Sequence, residues 1–271
     1  MQDKKDKRPD PKPRKRPQLW QSYLWWFELM EMRKRHNLRI SSIEAGKSNL
    51  DAQFERDMMS GAVTIGNAKM ETPPLDVLVA VTKKIMVNYG KMTGPVWDWA
   101  TSIRGLGEGG LAAQLIAQID DIGKFDTVSK LWRFAGWAVI EGQIDRCKKG
   151  EKSPYNRKLK AVCWNIVDSF IKQQTPLYVD LYYAEKERQR REHPDTLCRE
   201  CGCVWADCES KKAHHKLFND GHLHNRAIRK TAKIFLQHLW VFWRESEGLP
   251  VSEPYVQAIM GHTNIVKREE V

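Results

Sequence analysis

Cysteine and histidine side chains concentrate in one short stretch of the sequence. Four of the six cysteines lie between residues 198 and 208, and four histidines follow within residues 214–224. Cys198 and Cys201 form a Cys-x-x-Cys pair, and Gly202 after it permits the tight turn that directs both thiolates at one ion. Such spacing is typical of a structural zinc site, which we predict here.

The other zinc ligands are ambiguous, because eight cysteines and histidines compete for four positions. The predicted set is Cys198, Cys201, Cys208 and His222. The alternates are Cys203, His215 and His224. The competing interpretation is a loop of reduced cysteines that binds no metal.

A glycine turn is the second sequence pattern that could bind a ligand. Residues 96–119 hold two apolar-periodic segments around Gly105-Leu106-Gly107. The second segment predicts an amphipathic helix with Leu111, Ala112, Leu115, Ile116 and Ile119 on one stripe. Its first N–H groups and the positive end of its dipole suit a phosphate oxygen. This is the pattern of a helix-hairpin-helix that grips nucleic-acid backbone, and the alternative is a plain helical hairpin.

Positive charge is unevenly distributed along the chain. The net charge is +11 and the pI is near 9.3. Residues 1–17 carry eight lysines and arginines against three aspartates, and residues 145–160 carry seven against two acidic residues. Prolines and like charges predict a disordered tail for the first segment. Two concentrated basic segments indicate a polyanionic partner, although a solvated terminus is the alternative for the first.

Phosphate contacts are therefore expected from the glycine turn and the basic residues that follow it. The predicted nucleic-acid-binding residues are Arg104, Gly105, Gly107, Gly110, Lys124, Arg146, Lys148, Lys149, Lys152, Arg157, Lys158 and Lys160.

Helical periodicity dominates the rest of the chain. An aromatic-rich helix starts at Gln18, and a helix from about His224 to Glu245 carries Arg226, Arg229, Lys230 and Lys233 on its first half. The expected fold is mainly α: a helical arm, a helix-hairpin-helix domain and a small zinc-binding insertion. The expected divisions are a basic tail (1–17), a helical N-terminal region (18–92), a helix-hairpin-helix domain (93–193), a Cys/His-rich insertion (194–225) and a C-terminal helix with its tail (226–271).

The cellular compartment is suggested by what the sequence does not contain. No run approaches the roughly 18 apolar residues of a membrane span. No apolar segment of a secretory signal follows the basic N-terminus. The clustered cysteines do not resemble a spread disulfide framework. A cytoplasmic protein without membrane contact is expected.

Residues about 93–250 resemble the C-terminal half of DEDD-type insertion-sequence transposases. The similar stretch reads Ile103-Arg-Gly-Leu-Gly-Glu-Gly-Gly-Leu-Ala-Ala, Ile119-Asp-Asp-Ile-Gly-Lys-Phe, Leu131-Trp-Arg-Phe-Ala-Gly and Tyr155-Asn-Arg-Lys-Leu-Lys. In that family a RuvC-like nuclease half precedes a helix-hairpin-helix half, and a structured bridge RNA guides the system. The resemblance implies DNA as partner, with structured RNA as a further one, and a role in DNA transposition or recombination.

The chain departs from the family in its catalytic parts. The nuclease half needs a β-sheet with four acidic residues, and residues 1–92 show no alternating strand runs. The family's nucleophilic serine follows the "alanine-glycine" helix, where this chain offers only Ser153. The adjacent Asp120-Asp121 suits a turn better than a Mg²⁺ site. We expect the isolated chain to be inactive, with any catalysis dependent on a nuclease partner in trans.

Two other functional classes remain open at this stage. One is a non-catalytic accessory protein that binds the DNA or RNA of a mobile element. The other is a scaffold protein that forms homo-oligomers through its N-terminal aromatic helix.

Overall fold

A computed structural model describes residues 13–65, 68–71, 73–140, 143–144, 147 and 149–251. This part of the chain is mainly helical, as predicted, with nine α-helices and three two-stranded antiparallel sheets. None of these helices combines the length and apolar character needed to cross a membrane. Most of the predicted basic tail, Arg146, Lys148 and residues 252–271 lie outside the described residues.

The chain divides into two compact units. The N-terminal unit comprises residues up to 90 together with 119–121, and the C-terminal unit comprises 91–118 and residues from 122 onward. The N-terminal unit contains α1 (Pro17–Glu44), α2 (Ala52–Ser60), β1 (Ala62–Ile65), β2 (Ala68–Glu71) and α3 (Leu75–Lys91, whose last residue falls in the other unit).

Local signals explain these boundaries. Pro17 occupies the first turn of α1, where its missing N–H costs nothing. Asp51 caps α2 by accepting a hydrogen bond from the Gln53 N–H at 2.7 Å, and Gly61 ends it in the left-handed region. The β1–β2 hairpin was not predicted, because four-residue strands are too short to show a reliable alternation.

The aromatic face of α1 forms part of the core of the N-terminal unit. The rings of Trp20 and Tyr23 stack with centroids 5.4 Å apart, and Tyr23 is fully buried. Trp25, on another side of the helix, is 52% exposed. Assembly of copies through this helix remains a prediction.

The C-terminal unit is built around its last helix. Its main helices are α4 (Pro95–Ser102), α5 (Ala112–Ile119), α6 (Val128–Phe134), α7 (Arg157–Gln173), α8 (Tyr178–Glu192) and α9 (Asp220–Ser246). α9 packs against α4, α6, α7 and α8. Its buried side includes Phe235, Trp240 and Trp243, and the Trp240 indole N–H donates to the Phe125 carbonyl at 2.7 Å. α9 therefore forms the centre of the core of this unit.

The glycine hairpin joins α4 to α5. The turn at residues 103–106 leads into a π-helical turn, Gly107–Leu111, and a kink at Gly110, whose φ and ψ are not helical, separates this turn from α5. The predicted amphipathic stripe is wrong in one respect: α5 is buried on nearly every side, with only Gln114 partly exposed among 112–118. Its position inside the core requires this, and a periodicity of apolar residues cannot distinguish a buried helix with small residues from an amphipathic one.

Candidate metal centre and cationic surface

A compact module at residues 196–217 connects α8 to α9. β5 (Leu197–Cys198) pairs with β6 (Lys216–Leu217) in an antiparallel sheet. Between them Cys198 and Cys201 form a knuckle, in which the Gly202 N–H donates to the Cys198 carbonyl at 3.0 Å and Gly202 adopts a φ of 73°. The Cys201 N–H also points at the Cys198 sulfur, 3.5 Å away. The predicted glycine turn is present, and it directs both sulfurs to the same side.

Four side chains converge inside this Cys/His module. The sulfurs of Cys198, Cys201 and Cys208 and a ring nitrogen of His214 all lie within 4.8 Å of one another. The His214 Nδ1 is 3.3 Å from the Cys198 sulfur and 3.5 Å from that of Cys208. Ligands about 2.3 Å from a tetrahedral ion lie about 3.8 Å apart. The group can therefore hold one metal ion.

The sequence analysis placed three of these four residues and missed His214. His222, the predicted fourth ligand, instead lies in the first turn of α9, where its ring contacts the Asn219 side-chain oxygen. The ring of His224 bonds to the Tyr182 hydroxyl at 2.7 Å. Short loops between the strands decide which histidine faces the sulfurs, and the spacing of the residues does not reveal this.

His215 and Cys203 lie beside the cluster without completing it. The Glu200 carboxylate accepts hydrogen bonds from the His215 main-chain N–H and ring, and these lower the pKa of Glu200 to about 2. The Cys203 sulfur is 3.0 Å from that of Cys201. Hydrogen bonds from Cys203 and then Cys198 lower the pKa of Cys201 to about 7, which favours the thiolate that a metal needs.

The glycines of the hairpin have two different environments. Gly105 is packed against α7: a Cβ there would lie 3.1 Å from the Thr175 hydroxyl oxygen, and its carbonyl accepts a hydrogen bond from Ser169 at 2.6 Å. Gly110 is buried, with a φ of 101°. Cβ atoms at Gly107 and Gly109 would meet nothing within 4 Å. The open part of the turn is therefore Gly107–Gly109, and Gly109 was not among the predicted residues.

One acidic side chain lies next to this opening. Glu108 forms an ion pair with Lys91 at 2.6 Å, which offsets its charge. Arg104 is exposed, and its carbonyl accepts a hydrogen bond from the Thr175 hydroxyl at 2.7 Å. The hairpin thus combines an open glycine turn with a balanced local charge, so further positive charge must come from other elements.

The remaining predicted basic residues lie on the surface of the C-terminal unit. Lys124, Lys149, Lys152 and Arg157 are exposed, and Lys158 and Lys160 are half-buried at the start of α7. The side chain of Asn156 caps that helix by accepting a hydrogen bond from the Leu159 N–H at 3.0 Å. Positive side chains therefore surround the positive end of the α7 dipole.

A second group of cations lies on the first half of α9. Arg226, Arg229, Lys230 and Lys233 share one face of the helix at spacings of three and four residues. Lys230 pairs with Glu185 of α8 at 2.9 Å. Among the described residues, no carboxylate lies within ion-pair distance of Arg226, Arg229 or Lys233. We call these three side chains the α9 cations.

The α9 cations are partly withdrawn from water. The Arg226 guanidinium bonds to the Gln189 amide oxygen at 2.6 Å, and the Lys233 ammonium lies 4.2 Å from the centre of the Trp132 ring. Burial, and then the charge of Arg226, lower the pKa of Arg229. Burial and the charge of Arg229 lower the pKa of Lys233. The sequence analysis noted these residues but did not assign them to a site.

Glu185 of α8 is a nearby buried charge that is paired with charges of opposite sign. It is buried between α8 and α9 and accepts hydrogen bonds from Arg188, Lys230 and Gln189. Burial alone would raise the pKa of Glu185, but these hydrogen bonds outweigh it and lower the pKa to about 2. Glu185 and the α9 cations are both withdrawn from water. They differ in that Glu185 has partners of opposite charge, and the α9 cations have none among the described residues.

Neither of the considered catalytic groups has the surroundings of a reactive centre. The Ser153 hydroxyl donates to the Tyr155 carbonyl at 2.7 Å. In the described part of the chain, no carboxylate or imidazole lies within hydrogen-bond distance of that hydroxyl. In the N-terminal unit, the Asp120 carboxylate accepts a hydrogen bond from the Arg16 main-chain N–H at 3.0 Å, and Asp121 lies 3.7 Å from the Lys15 ammonium. Both carboxylates thus contact basic residues that precede α1.

Comparison of the chain with protein-family models, curated proteins and solved structures finds no match. The functional argument therefore depends on the geometry above and on the sequence resemblance.

Proposed function

We propose that this protein binds nucleic acid, with DNA as the primary partner, through phosphate contacts of the C-terminal unit. The observation that carries the proposal is the set of α9 cations. Partly buried charges without an opposite charge destabilise a fold, and like charges at helical spacing add to that cost. A polyanion that neutralises them would offset it.

The glycine hairpin supplies a second kind of phosphate contact. Gly107 and Gly109 have no side chain to obstruct an approaching backbone, and they lie in the short π-helical turn that precedes the kink at Gly110. The first N–H groups of a helix lack intrahelical acceptors and favour an anion. Such contacts read no bases, so we propose weakly sequence-selective binding.

The metal in the Cys/His module is proposed to be zinc, held for a structural purpose. Three thiolates and one imidazole suit tetrahedral zinc, and four protein ligands leave no open position for chemistry. The module connects α8 to the start of α9, which carries the α9 cations. Zinc would therefore stabilise the connection that leads into this surface.

DNA transposition or recombination is the proposed biological context, and the cytoplasm is the proposed location. The context is supported by the sequence resemblance alone. Because no carboxylate or imidazole among the described residues lies within hydrogen-bond distance of the Ser153 hydroxyl, we propose that the chain acts as a binding component and that strand cleavage needs a nuclease partner in trans. The accessory protein of a mobile element, binding RNA or DNA, is the alternative that fits the same surface.

Salt-dependent binding tests the proposal. The full chain is titrated into a fluorescently labelled DNA duplex between about 50 and 200 mM salt, where each phosphate contact contributes about −0.9 to the slope of log K against log[salt]. We expect a slope of about −3 or steeper, and loss of most binding in Gly107→Val. Affinity that does not change with salt would exclude phosphate-driven binding.

A further inference from the structure

We infer that a groove at the start of α7 binds an unpaired nucleobase of single-stranded nucleic acid. The inference deepens the proposed function and rests on it, because it adds a base-binding position to a surface otherwise described by phosphate contacts. The groove lies in the C-terminal unit and has a volume of about 260 Å³. Its lining residues are Trp137, Tyr155, Arg157, Lys160, Ala161 and Trp164.

The lining combines the two side-chain types that bind single strands. Three of the six residues are aromatic, two are cationic and none is acidic. Aromatic rings stack on bases of any sequence, and cations contact the phosphates between them. The groove volume is close to the lower end of the roughly 300–1,000 Å³ of small-molecule pockets, which favours a small flat group over a bulky ligand.

The groove is formed by two neighbouring segments. Lys160 and Ala161 lie three and four residues after Arg157, and Trp164 lies four and three residues after them, so all four share one face of α7. The opposite wall is Tyr155, whose ring packs directly on the backbone of Gly136. Gly136 has a φ of 73°, and a Cβ there would lie 2.6 Å from that ring. Any other residue at position 136 would displace this wall.

The aromatic rings are held in place before a ligand arrives. The Lys160 ammonium lies 4.4 Å from the centre of the Tyr155 ring and 5.5 Å from that of Trp137. Trp164 is 37% exposed, and its ring contacts the His224 ring edge-on, with centroids 6.5 Å apart. The Tyr182 hydroxyl fixes that histidine through a hydrogen bond of 2.7 Å. A ring held in this way loses little conformational entropy on stacking.

Charge complementarity supports a nucleotide over an uncharged aromatic ligand. Arg157 is exposed at the N-terminal end of α7, where the helix dipole adds positive potential. Phosphates on either side of a base stacked on Trp164 would lie near this end of the helix. Base pairing would prevent a duplex from placing a base in the groove, so the site is specific for unpaired strands.

A comparison of normal and abasic oligonucleotides tests the inference. Affinities of the full chain are measured for a labelled single strand, for the same strand without bases and for a duplex. Wild-type protein should bind the normal strand about tenfold more tightly than the abasic one, within the range for one stacked base. Trp164→Ala should bind the normal and abasic strands equally and should keep the wild-type affinity for the duplex. Trp164→Phe should restore most of the preference.

Trp25→Ala is the matched control, because it removes another exposed tryptophan from a different unit, and it should change none of these affinities. If Trp164→Ala keeps the full preference for the normal strand, or wild type shows none, the groove does not bind a base. Salt-dependent duplex binding would then leave the proposed function intact. If no probe binds at any salt concentration, the proposed function fails and the inference fails with it.

Discussion

The Cys/His module and the glycine hairpin differ in which atoms would bind a ligand, because the module uses side chains and the hairpin uses the main chain. In the module, side chains of Cys198, Cys201, Cys208 and His214 converge on one point. In the hairpin, the candidate anion-binding groups are main-chain N–H groups near Gly107 and Gly109, which every residue type except proline possesses. A metal site can therefore be assigned to named ligands, whereas an anion site must be argued from what surrounds it.

The two regions also differ in how they tolerate substitution. Each of the four candidate ligands would be indispensable to a bound ion, because an ion with three ligands is bound much more weakly than one with four. The hairpin glycines divide into Gly105, which is required by packing, and Gly109, which is open and has no left-handed φ. The comparison can be tested by substitutions that separate these requirements.

The largest effect is expected at the metal. His214→Ala should remove most of the bound zinc and expose residues 196–217 to hydrogen exchange, because metal binding and folding are coupled in such modules. His222→Ala should keep one zinc per chain, since His222 contacts Asn219 and none of the sulfurs. Elemental analysis with hydrogen exchange measures both. Zinc retained in His214→Ala and lost in His222→Ala would reverse the assignment.

A smaller effect is expected at the hairpin glycines. Gly105→Ala should reduce the free energy of unfolding by about 2–3 kcal/mol, because a φ of 97° strains an alanine and its Cβ crowds Thr175 and Phe170. Gly109→Ala should change stability by less than about 0.5 kcal/mol and weaken duplex binding severalfold. Urea denaturation and fluorescence anisotropy compare the pair. Equal losses of stability would mean that the two glycines have the same role.

Substitution of Glu185 tests whether the contact between α8 and α9 stabilises the fold independently of the Cys/His module. Glu185→Gln should cost about 2 kcal/mol, because it removes the charge of a buried carboxylate that pairs with the half-exposed Lys230 and Arg188. The folded-state pKa of Glu185, about 2, is below its ordinary value of 4.5. Its stabilisation is therefore complete above about pH 4.5 and is lost as the pH falls toward 2.

Denaturation across this pH range should show the loss in wild type and a much flatter profile in Glu185→Gln. Glu192→Gln is the control, because that exposed residue pairs only on the surface with Arg188. An identical pH profile in wild type and Glu185→Gln would contradict the assignment.

The smallest effect on stability is expected at the α9 cations. Arg229→Gln should leave the free energy of unfolding unchanged or raise it by up to about 1 kcal/mol, since it removes a partly buried charge beside Arg226. Lys172→Gln is a suitable control, because it removes a cation that is paired with Asp168 at 2.6 Å. A loss of more than about 1 kcal/mol in Arg229→Gln would show that this arginine has a structural role.

Sequence reasoning was most successful where local physics decides the outcome. The helical class, the glycine turn and the Cys-x-x-Cys knuckle all depend on short-range spacing. The choice of His214 over His222 depends on how β5 and β6 pair, which no local pattern encodes. The packing of Gly105 on α7 and of Tyr155 on Gly136 joins residues distant in sequence. For the same reason, the absence of acidic partners for the α9 cations among the described residues became visible only in the fold.

The change in salt dependence caused by Arg229→Gln tests the central claim most directly. Duplex affinity is measured over the same salt range for wild type, Arg229→Gln and Lys172→Gln. If the α9 cations contact phosphates, the slope of log K against log[salt] should become shallower by about 1 in Arg229→Gln. Lys172→Gln should keep the wild-type slope. Equal slopes in wild type and Arg229→Gln would contradict the claim that this surface binds the nucleic-acid backbone.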